Sequence, residues 1–269
     1  MAKIDINDVY LEYDSGSGRQ AALDGVSFSV GEGEFVSVIG SSGCGKSTLL
    51  GLLAGLMPPS GGEILIDGDR VTGTGKDRSV VFQHYSLFPW MSARGNIVFA
   101  LKQQGRNGCK PSALREKADR YLGLVGLADA ARKFPRELSG GMQQRVAIAR
   151  ALALDSPMLL MDEPFGAIDA KNRAGLQELL LDLWDCGDGR KTVVFVTHDI
   201  DEAIFLSDKI VVMSSGPGRV KEEIPVPFPR PREREGIVRT AAYAALRNRI
   251  VLLFYDDLAK AIGGEEVVI

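Results

Sequence analysis

The segment EFVSVIGSSGCGKSTLLGLL, residues 34–53, runs from an apolar, β-branched stretch through a glycine-rich turn into an apolar, helix-forming stretch. It contains the pattern G-x-x-x-x-G-K-[ST] in the required context, with a strand before it and a helix after it. The glycines let backbone N–H groups curl around phosphate oxygens, and the helix N-terminus adds partial positive charge. The segment therefore predicts a phosphate-binding loop.

Nine consecutive residues of this loop are candidates for contact with a nucleotide: Gly40, Ser41, Ser42, Gly43, Cys44, Gly45, Lys46, Ser47 and Thr48. Lys46 argues against a plain glycine-rich turn, because a lysine beside the positive end of a helix dipole needs an anion. We expect Lys46 to reach the β and γ phosphates as a binding and catalytic group, and Ser47 to bind Mg²⁺. Cys44 is interpreted as a small loop residue, with redox sensing as the alternative.

The composition is that of an ordinary globular protein. Of the 269 residues, 45% are hydrophobic and 25% are charged, and the formal net charge of −3 does not indicate nucleic-acid binding.

No stretch approaches the roughly 18 to 20 apolar residues of a membrane-spanning helix, and the start lacks an export signal, so we expect a cytoplasmic protein. Cys44, Cys109 and Cys186 show no metal-ligand spacing and are expected to be free thiols.

Short β-rich segments alternate with helical ones along most of the chain. Strands are predicted in KIDINDVYLEY, VSFSV, EFVSVIG, GGEILIDG, SVVFQ, PMLLMD, KTVVFVTH and DKIVVMSS, and helices in KSTLLGLLAGL, NRAGLQELLLDLWD and DIDEAIFLS. This order favours an α/β fold with a mainly parallel sheet and an N-terminal antiparallel β segment. A helix-forming stretch interrupts the alternation, so we predict a core at 1–93 and 155–229 with an inserted helical subdomain at 94–154.

The C-terminal part differs in character. After SSGPGRV, the proline-rich IPVPFPRPR separates the core from a tail at 230–269, in which a helix is predicted from about Glu235 to Ala261. An amphipathic helix packed on the core is one interpretation of this tail, and a regulatory or partner-binding segment is the other.

An apolar strand, PMLLMDE at residues 157–163, ends in two adjacent carboxylates. Neighbouring strand residues point in opposite directions. Asp162 can therefore face Mg²⁺ at the phosphate loop, while Glu163 faces another point, where it can polarise an attacking water. Alone, D-E-P after a strand is compatible with a solvated turn. Together with the phosphate loop, the pair predicts a metal ligand and a general base.

Two more polar residues follow apolar strand signals. His198 follows TVVFV and is predicted to contact the γ-phosphate and orient the water. Gln83 ends SVVFQ, and its amide is predicted to respond to bound Mg²⁺ and γ-phosphate. It is therefore both a metal-site candidate and a catalytic candidate. Taken singly, His198 would be a capping or core histidine and Gln83 a surface glutamine, but the other motifs favour function. His84 has no such support and is expected to be an exposed loop residue.

The segment LSGGMQQR, residues 138–145, lies ahead of VAIARALAL and resembles the signature sequence of ATP-binding cassette (ABC) proteins. Physically it is a second small-residue turn at a helix N-terminus, and so a second anion-binding feature. The resemblance implies that Ser139, Gly140 and Gly141 grip the γ-phosphate of ATP held by an opposite subunit. It thus implies two shared sites in a head-to-tail dimer, expected to be a homodimer, with a heteromeric pair left open.

The resemblance covers about residues 3 to 225 and implies P-loop NTPase architecture with ATP and Mg²⁺ as cofactors. Its further matches are the adenine-stacking aromatic at Tyr13, the Q-loop at Gln83, the Walker B pair at Asp162 and Glu163, the D-loop at Asp169 and the switch histidine at His198. Tyr10 competes for the adenine role, but Val9, Leu11 and Tyr13 share one strand face, which favours Tyr13.

Two departures from the family pattern are mild. Met142 stands where glutamine is commoner, and Gly166 and Ile168 replace the more usual serine and leucine around Asp169. Neither departure removes a charged or hydrogen-bonding group from the predicted chemistry.

Finer similarities are to the cassette subunits of importers for taurine, aliphatic sulfonates and nitrate. They lie in LFPWMSARGNIVFAL, DEPFGAIDA, LLLDLW and VVMSSGPGRV. Taurine-type subunits are the most similar, which implies an ATP-hydrolysing, energy-coupling subunit for taurine or sulfonate import. Nitrate and other small solutes, including pyrimidine-type ones, are alternatives. A cassette subunit does not touch the solute, so this step rests on relatedness.

The resemblance also implies partners. They are integral-membrane permease subunits and, indirectly, a periplasmic or lipid-anchored solute-binding protein, so that the chain would be peripheral at the cytoplasmic face of the inner membrane. The loop from Gln83 to about Ser92, with Phe88 and Trp90, would receive a permease helix, unless these aromatics belong to the core. No nucleic-acid partner is expected. A non-transport ABC ATPase acting on nucleic acid is disfavoured because Gln83 and Ser139 lie close in sequence.

Overall fold

The computed structural model describes residues 2–15, 18–105, 110–185, 190–214 and 216–262. In chain order, the strands are β1 (Ala2–Ser15), β2 (Gly18–Gly31), β3 (Phe35–Gly40), β4 (Gly61–Ile66), β5 (Asp69–Arg70), β6 (Arg78–Val81), β7 (Met158–Asp162), β8 (Thr192–Thr197), β9 (Lys209–Met213) and β10 (Val220–Pro225). The helices are α1 (Lys46–Leu53), α2 (Ala93–Gln103), α3 (Pro111–Leu124), α4 (Gly140–Leu154), α5 (Ala170–Asp185), α6 (Ile200–Leu206), α7 (Arg234–Val238) and α8 (Ala241–Ile262). The predicted thiols of Cys109 and Cys186 lie outside the described residues.

The chain divides into two units, Met1–Thr74 with Thr192–Ile269 and Gly75–Lys191. The first unit contains the predicted phosphate loop, His198 and the C-terminal tail. The second contains α2, α3 and α4 together with β6, β7 and α5, so it extends beyond the predicted helical insertion of 94–154 on both sides. The domain boundaries predicted from the sequence therefore stay a prediction.

An antiparallel sheet in the order β2-β1-β4-β5 lies in the first unit. Ile4, Ile6, Val9 and Leu11 of β1 face the core and are buried. The step from Ile6 to Val9 breaks strict alternation because β1 carries a register shift there against β2. β2 is longer than the predicted VSFSV, since pairing with β1 continues through residues 18–25, whose sequence GRQAALDG lacks a strong apolar pattern.

The first unit also contains the strand order β10-β9-β3-β8. β3 pairs in parallel with both β8 and β9. All six residues of β3 and of β8 are buried, which explains why both sequences are mostly apolar and do not alternate with charged residues. β10 pairs antiparallel with β9. The sequence did not predict β10, because its centre is the charged KEE and prolines follow it.

Helix α1 ends at Leu53, short of the predicted KSTLLGLLAGL. Gly55 has a φ of +72° and donates its N–H to the Leu52 carbonyl at 2.9 Å. A Cβ on Gly55 would lie 2.0 Å from the Gly73 oxygen. Only glycine can take this left-handed conformation so close to another backbone, and the helix therefore stops here.

In the second unit, β6 and β7 form a parallel pair, and α2, α3 and α4 pack on one another. All five residues of β7 are buried. Gln83 was predicted to end its strand, but β6 ends at Val81, so Gln83 lies in the following loop. This places its side chain beyond the sheet edge.

The predicted single tail helix is two helices, α7 and α8. Thr240 separates them, because its hydroxyl accepts the N–H of Tyr243 at 3.1 Å and so begins α8. The buried α8 residues Tyr243, Leu246 and Ile250 join a core cluster with Ile204 of α6 and other apolar residues of the first unit. The described part of α8 is therefore an amphipathic helix packed on the core.

Candidate active site

The loop between β3 and α1 has the backbone of a phosphate cradle. Gly43 and Gly45 have φ angles of +81° and +89°, and Gly45 begins α1 in the left-handed conformation. A Cβ at Gly40 would lie 2.5 Å from Cys44 Sγ and 2.8 Å from the Met213 oxygen. The glycines of the motif thus meet both a conformational and a steric requirement.

Lys46 lies inside this loop, with a side chain that is almost completely buried. Its ammonium donates to the Gly40 oxygen at 2.8 Å and the Ser41 oxygen at 2.9 Å. Among the described residues, Ser41 Oγ is buried without a hydrogen-bond partner. A buried cation and an unused hydroxyl in one glycine-rich loop suit a phosphate group, because each gains a partner from its oxygens.

The thiol of Cys44 is fully buried and lies 3.6 Å from Lys46 Nζ. Burial raises the pKa of Cys44, although the neighbouring ammonium of Lys46 opposes the rise. A buried thiol with a raised pKa is poorly reactive. Both observations favour a small structural residue over a redox sensor.

The segment SSGPGRV has a role at this loop that the sequence did not reveal. Gly218 N–H donates to the Ala22 oxygen, and Asp24 N–H donates to the Gly218 oxygen, both at 3.0 Å. A Cβ on Gly218 would lie 2.2 Å from the Cys44 oxygen. Arg219 forms an ion pair with Asp24. Gly218, together with Ala22 and Asp24 of β2, therefore packs against the backbone of the phosphate loop at Cys44.

Tyr13 lies near the first turn of α1. Its hydroxyl is 3.3 Å from Thr48 Oγ1, and 44% of the residue is exposed. Tyr10 instead donates to Asp8 Oδ1 at 3.0 Å. Tyr13 thus lies beside the phosphate loop, whereas the Tyr10 hydroxyl is engaged by Asp8. The choice of Tyr13 for adenine stacking stays a prediction from the sequence.

His198 follows β8 and is exposed. It lines a cleft of about 410 Å³ together with Gly40, Ser41 and Ser42 of the phosphate loop. The turn around it is fixed by hydrogen bonds: Asp199 N–H donates to Thr197 Oγ1 at 3.0 Å, and Thr197 donates to Glu202 Oε2 at 2.6 Å. The structure thus brings together two elements that the sequence predicted separately.

The second unit holds the predicted carboxylates. Asp162 ends β7 and is buried, whereas Glu163 is half-buried with a φ of +44°. A positive φ on a non-glycine residue is uncommon and is concentrated at functional sites. Gln83 donates to Glu163 Oε2 at 3.4 Å. The exposed Gln83 is therefore next to the proposed base, while its neighbour His84 is exposed, as expected.

The signature segment begins α4. Ser139 accepts the N–H of Met142 at 3.3 Å, so its side chain caps the helix. A Cβ at Gly140 would lie 2.7 Å from Tyr85 Oη, and one at Gly141 would lie 3.1 Å from the Ala167 oxygen. A side chain at either glycine would therefore have to displace a neighbouring group.

Asp169 precedes α5 and is fixed by Asn172, which the sequence interpretation passed over. Asp169 accepts the Asn172 side-chain amide at 2.7 Å and its N–H at 3.1 Å. These bonds, the side-chain one first, lower the pKa of Asp169. Its carboxylate is thus held in one orientation at the start of the helix.

The aromatic loop after Gln83 presents one exposed ring. Trp90 is 68% exposed and its ring centroid is 5.4 Å from that of Phe88, which packs edge-on to Phe99. The fully buried Asn96 holds the loop by accepting the Phe88 N–H at 2.7 Å and donating to the Phe88 oxygen at 3.2 Å. Phe88 is thus partly core, whereas Trp90 is available to a partner.

The residues present fit a magnesium ion bound with a nucleotide. Within the described ranges, no three His, Cys, Asp or Glu side chains gather into a metal site. Mg²⁺ accompanying a nucleotide needs no such cluster, because phosphates and waters supply most ligands and one or two protein oxygens complete the shell. Ser47 presents an exposed hydroxyl at the start of α1, and Asp162 is a buried carboxylate that suits a cation.

A comparison with family models matches residues 23–166 to the ABC transporter family. The chain belongs to this family. An ABC transporter cassette binds ATP with Mg²⁺ and is an ATPase, and the predicted α/β fold is confirmed. Two solved dimeric structures of the cassette MJ0796, one of them bound to ADP and Pi, match this ABC protein with a TM-score of 0.77. They share 35% and 36% identity with it, and each match covers 84% of this chain and 99% of that one.

Curated relatives of this ABC protein include importer subunits. An ATP-binding protein of Brucella abortus is 49% identical over 248 residues, 92% of each chain. The nitrate import ATP-binding protein NrtD of Synechococcus elongatus is 48% identical over 243 residues, covering 90% of this chain and 88% of that protein. The bicarbonate transport ATP-binding protein CmpD of the same species is 46% identical over 258 residues, covering 94% of this chain and 91% of that protein. In the described part of the ABC protein, no helix is long and apolar enough to cross a membrane.

Proposed function

We propose that this ABC protein is the energy-coupling subunit of an importer, in which it hydrolyses ATP to drive transport. The observation that carries the proposal is the arrangement in the first unit: Lys46 is buried in a glycine cradle, and His198 lines a cleft with Gly40, Ser41 and Ser42 of the same loop. Lys46 and the loop N–H groups would hold the phosphates, Tyr13 the adenine and Ser47 the magnesium ion. His198 would contact the γ-phosphate and orient the attacking water.

The second unit would supply the other groups of the reaction. Asp162 would complete the magnesium shell, and Glu163, with Gln83 donating to it, would accept the proton of the attacking water. A carboxylate held by a neighbouring amide is suited to this role, because its orientation is set before the substrate arrives.

The active form is proposed to be a head-to-tail homodimer. In it, Ser139, Gly140 and Gly141 of one copy face the nucleotide of the other, and Asp169 contributes at the same interface. Support comes from the capped, side-chain-free turn at the start of α4, which can offer N–H groups to an anion. The dimeric state of the solved cassette with 35% identity adds further support.

The transported solute is proposed to be a small inorganic anion of the nitrate or bicarbonate type. Relatives that are 46% to 48% identical and carry a solute in their names are nitrate and bicarbonate subunits. They favour the nitrate alternative over the sulfonate interpretation of the sequence. Because a cassette subunit does not bind the solute, this assignment follows from relatedness.

The proposed partners are two permease subunits in the membrane and, through them, a solute-binding protein outside it. The chain would lie at the cytoplasmic face of the membrane. The exposed Trp90, held beside Phe88, which in turn packs on Phe99, is the surface proposed to meet a permease helix. Exposed aromatic rings on a rigid base are typical anchors of such contacts.

The chemical part of the proposal is tested with Glu163→Gln. This variant should bind MgATP, form a stable dimer and lose turnover by about 10² to 10⁴-fold, the range for a removed general base. Size-exclusion chromatography with MgATP and a phosphate-release assay provide the readouts. Glu178→Gln, an exposed position on α5, is the matched control. Turnover near the wild-type rate in Glu163→Gln would refute the base assignment.

The solute is tested in cells from which the gene has been deleted. Uptake of labelled nitrate, bicarbonate and taurine is measured with and without a plasmid copy. Loss of nitrate or bicarbonate uptake that the plasmid restores supports the proposal. Loss of taurine uptake alone would return the assignment to sulfonates.

A further inference from the structure

The C-terminal helix α8 forms one wall of the cleft that holds His198. Val251 and Phe254 of α8 line this cleft opposite Ile200 of α6 and the first residues of the phosphate loop. The tail is therefore part of the surroundings of the proposed γ-phosphate site. None of the roles proposed above belongs to a residue of α8.

Two side chains of α8 converge on one carboxylate oxygen close to His198. Tyr243 Oη and Arg247 Nε each donate to Asp201 Oδ1 at 2.8 Å. Asp201 lies in the first turn of α6, three residues after His198. Burial and this bond raise the pKa of Tyr243 well above its usual range, and the same carboxylate raises the pKa of Arg247.

The connection from Asp201 back to His198 is short and rigid. Asp199 caps α6 by accepting the Glu202 N–H at 3.1 Å, and Glu202 is held by Thr197 at 2.6 Å. The residues on both sides of His198 thus belong to one hydrogen-bonded turn. Whatever anchors the first turn of α6 also limits the positions open to the imidazole.

We propose that Tyr243 and Arg247 are positioning residues for His198. In this proposal, α8 acts through Asp201 to hold the hydrogen-bonded turn at residues 197–202, the switch turn, in the arrangement needed for hydrolysis. The inference rests on the proposed role of His198. Removing the two donors releases Asp201 while leaving the apolar contacts of Leu246 and Ile250 with the core. Nucleotide binding by the phosphate loop should persist, because both donors act on α6, whereas hydrolysis should slow, because a small misplacement of a catalytic group is costly.

The test compares Tyr243→Phe/Arg247→Ala with Arg249→Ala in the full chain. Arg249 is the matched control, because it lies on the same helix and pairs with Glu222 on β10 instead of with Asp201. In the double variant, kcat for ATP should fall by about tenfold, with KM and the affinity for a fluorescent ATP analogue changed less than about twofold. Arg249→Ala should keep both constants. The double variant with Arg247→Lys in place of Arg247→Ala should recover part of the lost kcat, since lysine retains a cationic donor.

His198→Ala, measured in parallel, separates the two possible failures. If His198→Ala is inactive and the double variant turns over at the wild-type rate, the positioning role is refuted and the proposed function stands. If His198→Ala itself keeps wild-type turnover, the role of His198 fails and the positioning role fails with it. An increase in KM without a change in kcat would also overturn the inference. Should the double variant fail to fold, Tyr243→Phe alone, which removes a single hydroxyl, must lower kcat by at least about twofold.

Discussion

Gln83 Nε2 lies 3.4 Å from Glu163 Oε2, which joins two side chains that are 80 positions apart in the sequence. They follow the ends of the parallel strands β6 and β7. Parallel strands bring the residues after their carboxyl ends to the same edge of a sheet, where α/β proteins bind ligands. Gln83 is thereby suited to orient the proposed base.

Gln83→Ala should lower the rate of ATP hydrolysis by about 10 to 100-fold, because the Glu163 carboxylate loses a donor that orients it. ATP affinity should be unchanged, since the phosphate loop is intact. Single-turnover phosphate release and equilibrium nucleotide binding measure the two effects. His84→Ala, the exposed neighbour, is the control. Wild-type turnover in Gln83→Ala would contradict the prediction.

Ser139→Ala should remove the cap of α4, costing about 1 kcal/mol of unfolding free energy, and should also abolish ATP-dependent dimerisation. Ser92→Ala is matched to it, because Ser92 caps α2 by accepting the Gly95 N–H at 3.1 Å. Both variants should lose similar stability in urea titrations. Only Ser139→Ala should fail to dimerise in size-exclusion chromatography with ATP, and equal dimerisation would count against the signature role.

Gly40→Ala should displace the phosphate loop, because its new Cβ would lie 2.5 Å from Cys44 Sγ and 2.8 Å from the Met213 oxygen. Such overpacking costs about 1 to 3 kcal/mol, so ATP binding should weaken by about tenfold or more. Isothermal calorimetry with ATP gives the affinity. Gly73→Ala, which meets no atom within 4 Å, should bind ATP like the wild type. Unchanged affinity in Gly40→Ala would show that the loop has more room than its contacts indicate.

Arg232→Met should lower the unfolding free energy by about 2 to 4 kcal/mol, because it leaves buried carbonyls without a donor. Arg232 is buried and donates to the oxygens of Ile204, Phe205 and Ser207 at 3.1, 3.0 and 2.7 Å. The control is Arg239→Met, whose exposed side chain pairs only loosely with Glu235 at 3.7 Å. Denaturant unfolding compares the two, and a loss below about 1 kcal/mol in Arg232→Met would contradict a stabilising role for these hydrogen bonds.

Trp90→Ala should leave stability and the ATPase rate of the isolated chain unchanged, because 68% of the residue is exposed. It should weaken association with the permease by about 30-fold, the loss expected for a buried aromatic anchor. Pull-down from co-expressed subunits and transport-coupled ATPase activity measure the effect. Leu56→Ala, also exposed, is the control. Undiminished association would remove Trp90 from the proposed contact.

Local patterns predicted the main strands because each has a strong, continuous signal. The apolar runs of β3, β7 and β8 are buried throughout, as such runs require. β10 and the first half of β2 were missed for the opposite reason: neither has a strong apolar signal. Pairing holds β10 to β9 and the first half of β2 to β1. Cross-strand hydrogen bonds do not depend on side-chain hydropathy, so tertiary context overrides the local preference there.

The sequence by itself located the candidates for the phosphate loop, the carboxylate pair, the signature turn and the switch histidine, because each needs particular residue types at fixed local spacings. Only the tertiary structure decided that Gln83 meets Glu163, that Gly218 supports the phosphate loop and that Tyr243 and Arg247 converge on Asp201. These partners are distant along the chain and carry no local signature. Contacts between them arise from strand order and helix packing, which set where separate segments meet.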